Sequence, residues 1–354
     1  MSVNQLRYIS NSAFEAARSI EHVTAHSREN SLHGHSFLVC ASADGNNQDF
    51  ISLKLRLQNA ASILDYQFLN DHIAEPSDVG LALWLNDKLE DLGGVQCAVR
   101  SSYRRGAFLD LDGEPCIWQS FRFEAAHWLP NVPADHQCAR MHGHGFEVFL
   151  HVKLGTSQEE VAILPKVVDE LKAELDGRTL NNISGLTNPT SELLAIWIWE
   201  RCHSKLINLL GVTVMENSSS GCHFNGLTHQ IWTDIYFEAA VPASPSVSSS
   251  EVLGHSYCCR LYLSSVVDEI LGWTVDYGDV KLKFDPIYRQ LDHHFLGDLE
   301  DIKDTSLEML VYWIKEKAIS DIPLLSKLDL YETPKSGVSL VLSGASSGGD
   351  FLFP

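Results

Sequence analysis

In the stretch FEAAHWLPNVPADHQCARMHGHG, four side chains that bind metals or carry protons fall close together: His127, Cys138, His142 and His144. Residues i and i+2 of a β-strand point to the same side of the sheet, so His142 and His144 would offer two imidazoles to one face. His127, on a paired neighbouring strand, would complete a facial set of three nitrogens. Three protein ligands leave one position of a tetrahedral zinc ion open to water or substrate, the catalytic form of zinc coordination. A lone His-x-His pair is more often a metal-free surface or core pair. The third histidine, and a cysteine four residues before the pair, reverse that preference.

The elements that must hold these side chains can be read around them. IWQSFRFEAAHWL reads as a strand, and HGFEVFLHVKL alternates with the strand period of two. ILPKVVDELKAELDG carries apolar residues at helical spacing and ends near Gly177, and NPTSELLAIWIWERCHSKL opens on capping residues with Glu192 in its first turn. VTVMENS reads as a further strand. The same order recurs. F-E-A-A stands at Phe14–Ala17, Phe123–Ala126 and Phe237–Ala240, each followed by Gly-His (Gly34-His35, Gly143-His144, Gly254-His255), then Leu-Asp (Leu64-Asp65, Leu175-Asp176, Leu291-Asp292), then a tryptophan-bearing helix (Trp84, Trp197, Trp313). The chain therefore reads as three related units with expected boundaries 1–112, 113–228 and 229–342, and a mobile tail, 343–354. Each unit is an α+β element with one four-stranded antiparallel sheet and two helices. So small a sheet exposes its edges, and edge-to-edge pairing among the units would cover them.

The 354 residues are 45% hydrophobic and 20% charged, which suits a globular chain with a sizeable core. A net charge of -20 opposes a nucleic-acid backbone or an anionic membrane as the main partner. Neither a secretory leader nor a membrane-spanning run is visible, and the eight cysteines lack C-x-x-C spacing, so reduced thiols in the cytoplasm are expected. No Walker loop or G-x-G-x-x-G is present to cradle a nucleotide. His72, His203, His223 and His229 show no partner pattern and are expected to be solvated. The helix tryptophans are expected to pack in the core. His22 and His26 read as loop histidines, PASPSVSSSE as an irregular loop, and His136 receives no role.

With F-E-A-A-H and C-A-R-M-H-G-H in place, the chain resembles the 6-pyruvoyl- and 6-carboxy-tetrahydropterin synthases. The three residues between Cys138 and His-Gly-His are similar to the 6-carboxy type of the queuosine pathway. The resemblance implies three tandem tunnelling-fold (T-fold) units forming a single-chain pseudo-trimeric barrel. It also implies zinc on His127, His142 and His144, with Cys138 as the thiol acid/base, its pKa lowered by the cation. An Asp-His pair from an L-D-H-H motif would be the second half of the machinery, and a glutamate would anchor the pterin. That pair is intact only as Asp292-His293, because Tyr66 and Gly177 hold the histidine position in the other units. Only the second unit keeps all three metal ligands, since Arg18, Val241 and Leu253 interrupt the other sets. The anchoring position reads as Glu216, Glu332 and Arg100, and Thr190 matches a family segment near the pterin.

Family members form rings in which zinc and thiol come from one subunit and the Asp-His pair from the next. This chain looks like such a ring in one polypeptide, with one working site between units two and three. The resemblance implies a zinc-dependent lyase that converts 7,8-dihydroneopterin triphosphate to 6-carboxy-5,6,7,8-tetrahydropterin, acetaldehyde and triphosphate. The alternatives are a 6-pyruvoyl-tetrahydropterin synthase and a non-catalytic pterin- or zinc-binding protein. By analogy, two chains would stack into a homodimer of pseudo-trimers.

Overall fold

The computed structural model describes residues 4–20, 31–46, 49–156, 159–243, 251–268, 270–302, 304–333 and 336–343. His22, His26, most of the 242–251 loop and the tail from 344 onward lie outside the described residues. The long alternating runs form long strands. First come β1 (Gln5–Arg18), β2 (His33–Asp44), α1 (Phe50–Leu64), β3 (Gln67–Phe68), α2 (Asp78–Lys88), β4 (Gln96–Ser102) and β5 (Arg105–Leu109). The order repeats as β6 (Pro115–His127), β7 (His142–Lys153), α3 (Glu159–Leu175), β8 (Arg178–Thr179), α4 (Ser191–Cys202), β9 (Leu209–Asn217) and β10 (Ser220–Phe224). It repeats again as β11 (His229–Pro242), β12 (Val252–Ser265), α5 (Tyr277–Leu291), β13 (His294–Phe295), α6 (Leu307–Ala318), β14 (Leu325–Thr333) and β15 (Ser336–Val341).

The recurring F-E-A-A is a structural device. Its phenylalanine faces an aromatic partner across the strand pair and stacks on it: Phe14 on Phe37, Phe123 on Phe146 and Phe237 on Tyr257, with centroids 4.9, 5.0 and 5.0 Å apart. The glutamate backbone closes the helix that follows. The Glu15, Glu124 and Glu238 N–H groups donate to the carboxylates of Asp65, Asp176 and Asp292, at 2.9, 2.9 and 3.0 Å. Their carbonyls accept from the N–H of Tyr66, Gly177 and His293. Those three residues share a left-handed backbone, with φ of 55°, 68° and 58°. Glycine adopts this conformation freely, whereas an L side chain there costs about 1–2 kcal/mol. Gly177 is thus the residue that local geometry prefers, and His293 one that it only tolerates.

Hydrogen bonding runs β10-β9-β7-β6-β5-β4-β2-β1-β15-β14-β12-β11, and β10 pairs β11, so twelve strands close into a barrel. Closure uses the edges that small sheets would expose: β5 on β6, β10 on β11 and β15 on β1. The helices pack on one face through residues such as Leu57, Leu171, Leu194, Phe284 and Ile314. Six helices, each about 10 Å across, cannot fit inside twelve strands, so that face is the outside. The inner face carries a small apolar cluster (Ile9, Phe108, Trp118, Phe149) and a polar set in which Arg260 grips Asp234 at 2.6 and 2.9 Å and Tyr262 and Tyr331 each donate to Asp329 at 2.9 Å. Trp197 and Trp313 are buried, as expected.

Two of the four histidines expected to be solvated are not. His72 and His203 are exposed, but His223 and His229 are buried. His223 Nδ1 lies 2.9 Å from the Thr213 hydroxyl, and His229 stacks on Phe224. Strand parity turns His223 inward, which no charge pattern announces. Burial pulls the two down from 6.5 to about 3 and about 4. Below pH 6.5 the unfolded chain binds protons that these folded imidazoles refuse, so stability falls as pH drops toward 4. The metal-free protein should lose melting temperature through this window more steeply than its His223→Gln/His229→Gln variant. Parallel curves for the two would contradict the assignment.

Candidate active site

β6 and β7 pair so that His127 faces His142 and Ala125 faces His144, which brings all three imidazoles to one end of the strand pair. One nitrogen from each lies within 4.8 Å of the others, the one such group of three found among the described residues. The rings are oriented from behind. His127 Nδ1 is 3.0 Å from the Pro189 carbonyl and His142 Nδ1 is 2.7 Å from the Arg140 carbonyl. Carbonyls only accept, so these Nδ1 atoms carry protons and the Nε2 lone pairs are left to bind. His127 Nε2 is buried and has no hydrogen-bond partner, the condition of an atom built to meet an ion. Burial pushes His127 down to about 4 and also lowers His144, so both are neutral, ligand-ready imidazoles at pH 7. The donor set fits zinc with an open position.

Cys138 is half-buried on the 3-10 turn Gln137–Ala139. Burial pushes its thiol up, and the nearby carboxyls of Glu216 and Asp276 push it the same way. This is the direction set by the chain alone, whereas the lowering expected from the sequence is what a bound divalent cation would add. Burial raises Glu216 to about 8, Glu192 adds to the shift, and the Ser191 backbone N–H opposes it. Glu192, read from the sequence only as a first-turn acid, is 2% exposed. Its carboxyl accepts from the Thr274 N–H at 2.8 Å and the Ser191 hydroxyl at 3.1 Å.

Asp292 and His293 lie against β11. β12 pairs the full length of one edge of β11, so β10 and β13 share the other: β10 covers His229–Thr233, and β13 joins at Ala239–Ala240. The strands beyond that edge are β10, β9 and then β7, which carries His142 and His144. Asp292 Oδ2 lies 2.9 Å from His293 Nδ1, and this partner raises the imidazole while the carboxyl is lowered by the Glu238 N–H and by His293.

The other sequence-derived positions sort as follows. Thr190 is 3% exposed, and its hydroxyl donates to the Gly272 carbonyl at 2.6 Å and caps α4 through the Leu193 N–H. Its one donor is therefore used within the chain, and an acceptor lone pair is what it has left for a ligand. Glu332 lies near Tyr257 in the third repeat, whereas Glu216 acts on Cys138. The first-repeat counterpart of these glutamates is Ser101, not Arg100: Arg100 faces Leu38 as Met215 faces Glu147 and Tyr331 faces Cys258, one residue before each anchoring position. In that repeat Arg18 fills the place of His127. It is 1% exposed and donates to the Pro76 carbonyl (2.9 Å), Asp78 (2.8 Å) and the Ser101 hydroxyl (3.0 Å). Sequence reasoning missed His136 and Asp276, which meet beside Cys138 at 3.1 Å. Only the position of His136 two residues before the cysteine hinted at it.

Together the barrel and the histidine cluster define a class: a closed β-barrel of repeated strand pairs whose three clustered imidazoles could hold a metal ion. The chain belongs to the 6-pyruvoyl tetrahydropterin synthase family, whose model matches residues 116–227 and again 230–341. It is 34% identical over 119 residues to the 6-carboxy-5,6,7,8-tetrahydropterin synthase of Synechocystis sp., covering 30% of this chain and 91% of that protein. It is 33% identical over 106 residues to the dihydroneopterin monophosphate aldolase of Pyrococcus furiosus, covering 28% and 87%. The solved structure of Caenorhabditis elegans 6-pyruvoyl tetrahydropterin synthase aligns at 23% identity and a TM-score of 0.30, covering 32% of this chain and 94% of that one.

Proposed function

We propose that the chain is a zinc-dependent 6-carboxy-5,6,7,8-tetrahydropterin synthase acting on 7,8-dihydroneopterin triphosphate. In this reading it is three T-fold units in one polypeptide, bounded at 1–112, 113–228 and 229–342, with one composite site between the second and third. The observation that carries the reading is the complementary pair of half-sites. The three-histidine group lies on β6 and β7, and the intact Asp292-His293 pair lies on the β11 edge that looks toward β7 across the short β9–β10 hairpin. The Synechocystis relative and the Cys138-to-His142 spacing support the 6-carboxy product. No helix among the described residues is long and apolar enough to cross a membrane.

His127, His142 and His144 would hold zinc, a Lewis acid that acidifies the proton on the carbon beside the substrate's side-chain hydroxyls. Cys138 takes and returns that proton. It would do so as the thiolate: in the metal-free chain its raised pKa favours the thiol, and a cation on the three histidines would favour loss of that proton to solvent. His293, whose charged form Asp292 favours, would supply the second proton from its imidazolium. Glu216 receives the amino and ring N–H groups of the pterin, two donors that favour its ionised form and draw it down from about 8.

The test is mass spectrometry of the products formed from 7,8-dihydroneopterin triphosphate by zinc-loaded protein. We expect 6-carboxy-tetrahydropterin and acetaldehyde. A 6-pyruvoyl product would keep the site and change the reaction, and unchanged substrate with one zinc per chain would remove the reading. His293→Ala should lower turnover on the order of a hundredfold or more while zinc stays bound. Loss of zinc in that variant would contradict the division of roles.

A further inference from the structure

The turn that carries Cys138 is held from the third repeat. His136 caps the 3-10 turn Gln137–Ala139, with its Nδ1 3.2 Å from the Cys138 backbone N. Its Nε2 lies 3.1 Å from Oδ2 of Asp276, whose Oδ1 in turn caps α5 by accepting from the Gly278 N–H at 2.6 Å. The partners dictate the tautomer. A backbone N–H only donates, so Nδ1 must be the lone-pair nitrogen, and a carboxylate only accepts, so Nε2 must carry the proton.

The segment leading to Asp276 is fastened to the second repeat. The Asn131, Asn188 and Thr190 side chains donate to the carbonyls of Ile270, Leu271 and Gly272 at 2.6, 2.7 and 2.6 Å. Gly272 sits at φ +77°, where a Cβ would come within 2.6 Å of Asn188 Nδ2, so only glycine permits this approach. Trp273 covers the His136 ring, with centroids 5.6 Å apart.

We propose that His136 and Asp276 are positioning residues for Cys138: Asp276 fixes the His136 tautomer, and that tautomer caps the turn that aims the thiol. The inference rests on the catalytic role proposed for Cys138. With the other tautomer, an Nδ1–H would meet the Cys138 N–H donor to donor, and the turn would open. A thiol displaced by about 1 Å can cost a hundredfold in rate.

The experiment compares Asp276→Asn, His136→Gln and His136→Asn. Asn at 276 can keep its oxygen on Gly278 only by presenting an amide donor to His136, which drives the proton to Nδ1. Gln at 136 supplies only the Nε2-type donor, and Asn only the Nδ1-type acceptor. Asp276→Asn and His136→Gln should lose about ten- to a hundredfold in kcat, with KM and zinc content near wild type, and His136→Asn should recover most of the rate. Two readouts do not depend on turnover. Side-chain 15N NMR should show His136 as the Nε2–H tautomer in wild type and as Nδ1–H in Asp276→Asn, and the rate of iodoacetamide alkylation at the Cys138 peptide should change in Asp276→Asn and His136→Gln but not in His136→Asn. An Nδ1–H tautomer in wild type, or wild-type alkylation in Asp276→Asn and His136→Gln, would overturn the proposal. If wild type does not turn over the substrate, the functional reading falls while tautomer and alkylation still decide this one.

Discussion

His127→Ala should abolish metal binding at the proposed site, whereas His33→Ala and His35→Ala should leave metal content unchanged. The two strand pairs look alike in sequence, since both carry His-Gly-His, and in both the first of those histidines is turned by a carbonyl two residues back. The difference lies across the pair. At β6, His127 presents a buried, unpartnered Nε2 to the two histidines of β7. At β1 the same place holds the Arg18 guanidinium, which lowers the nearby His35, after burial, because it favours a neutral imidazole. A fixed cation where a metal ion would sit repels a second one. Under the proposed function, losing the ion also loses the Lewis acid that would polarise the substrate, so turnover should fall on the order of a thousandfold. Metal analysis of the three purified variants checks this, and a second equivalent of zinc lost with His33 or His35 would refute it.

Arg18→Met should be among the most destabilising single changes in the chain. Arg18 is 1% exposed, and it satisfies the Pro76 carbonyl, Asp78 and Ser101, while the Ser101 hydroxyl also donates to Asp78 at 2.7 Å. Methionine matches the stem in volume but leaves the partly buried Asp78 carboxylate without its counter-ion, a loss of up to about 3 kcal/mol. Removing both charges together is milder, because no partly buried carboxylate is left without its counter-ion. Arg18→Met/Asp78→Leu should therefore regain more than half of the urea stability lost in Arg18→Met. Equal losses in the single and double variants would show that the packing of the arginine stem, not the ion pair, is what holds the first repeat. Metal content should stay at one per chain in both.

These two expectations pull apart what the repeated markers mean. F-E-A-A and Leu-Asp served as markers of the repeat, and the structure shows what they do locally: aromatic stacking and helix closure at each of their three occurrences. That explains how Tyr66 and Gly177 could replace a histidine without disturbing the backbone.

Much of this was legible in the linear chain because it is local. The period of two put His142 and His144 on one face, the Asn-Pro-Thr-Ser segment announced the start of α4, and the repeat spacing announced small sheets whose edges had to be covered. What the tertiary structure alone decided is who stands opposite whom between segments distant in sequence. Strand register moved the first-repeat counterpart of Glu216 from Arg100 to Ser101, and docking of the 270–274 segment took the hydroxyl proton of Thr190. Barrel closure buried His223, and the third repeat reached across to His136 through Asp276. The physical reason is that backbone periodicity fixes the direction of a side chain, whereas its partner, and hence its charge and hydrogen bonding, depends on strand order and loop docking that no local pattern encodes.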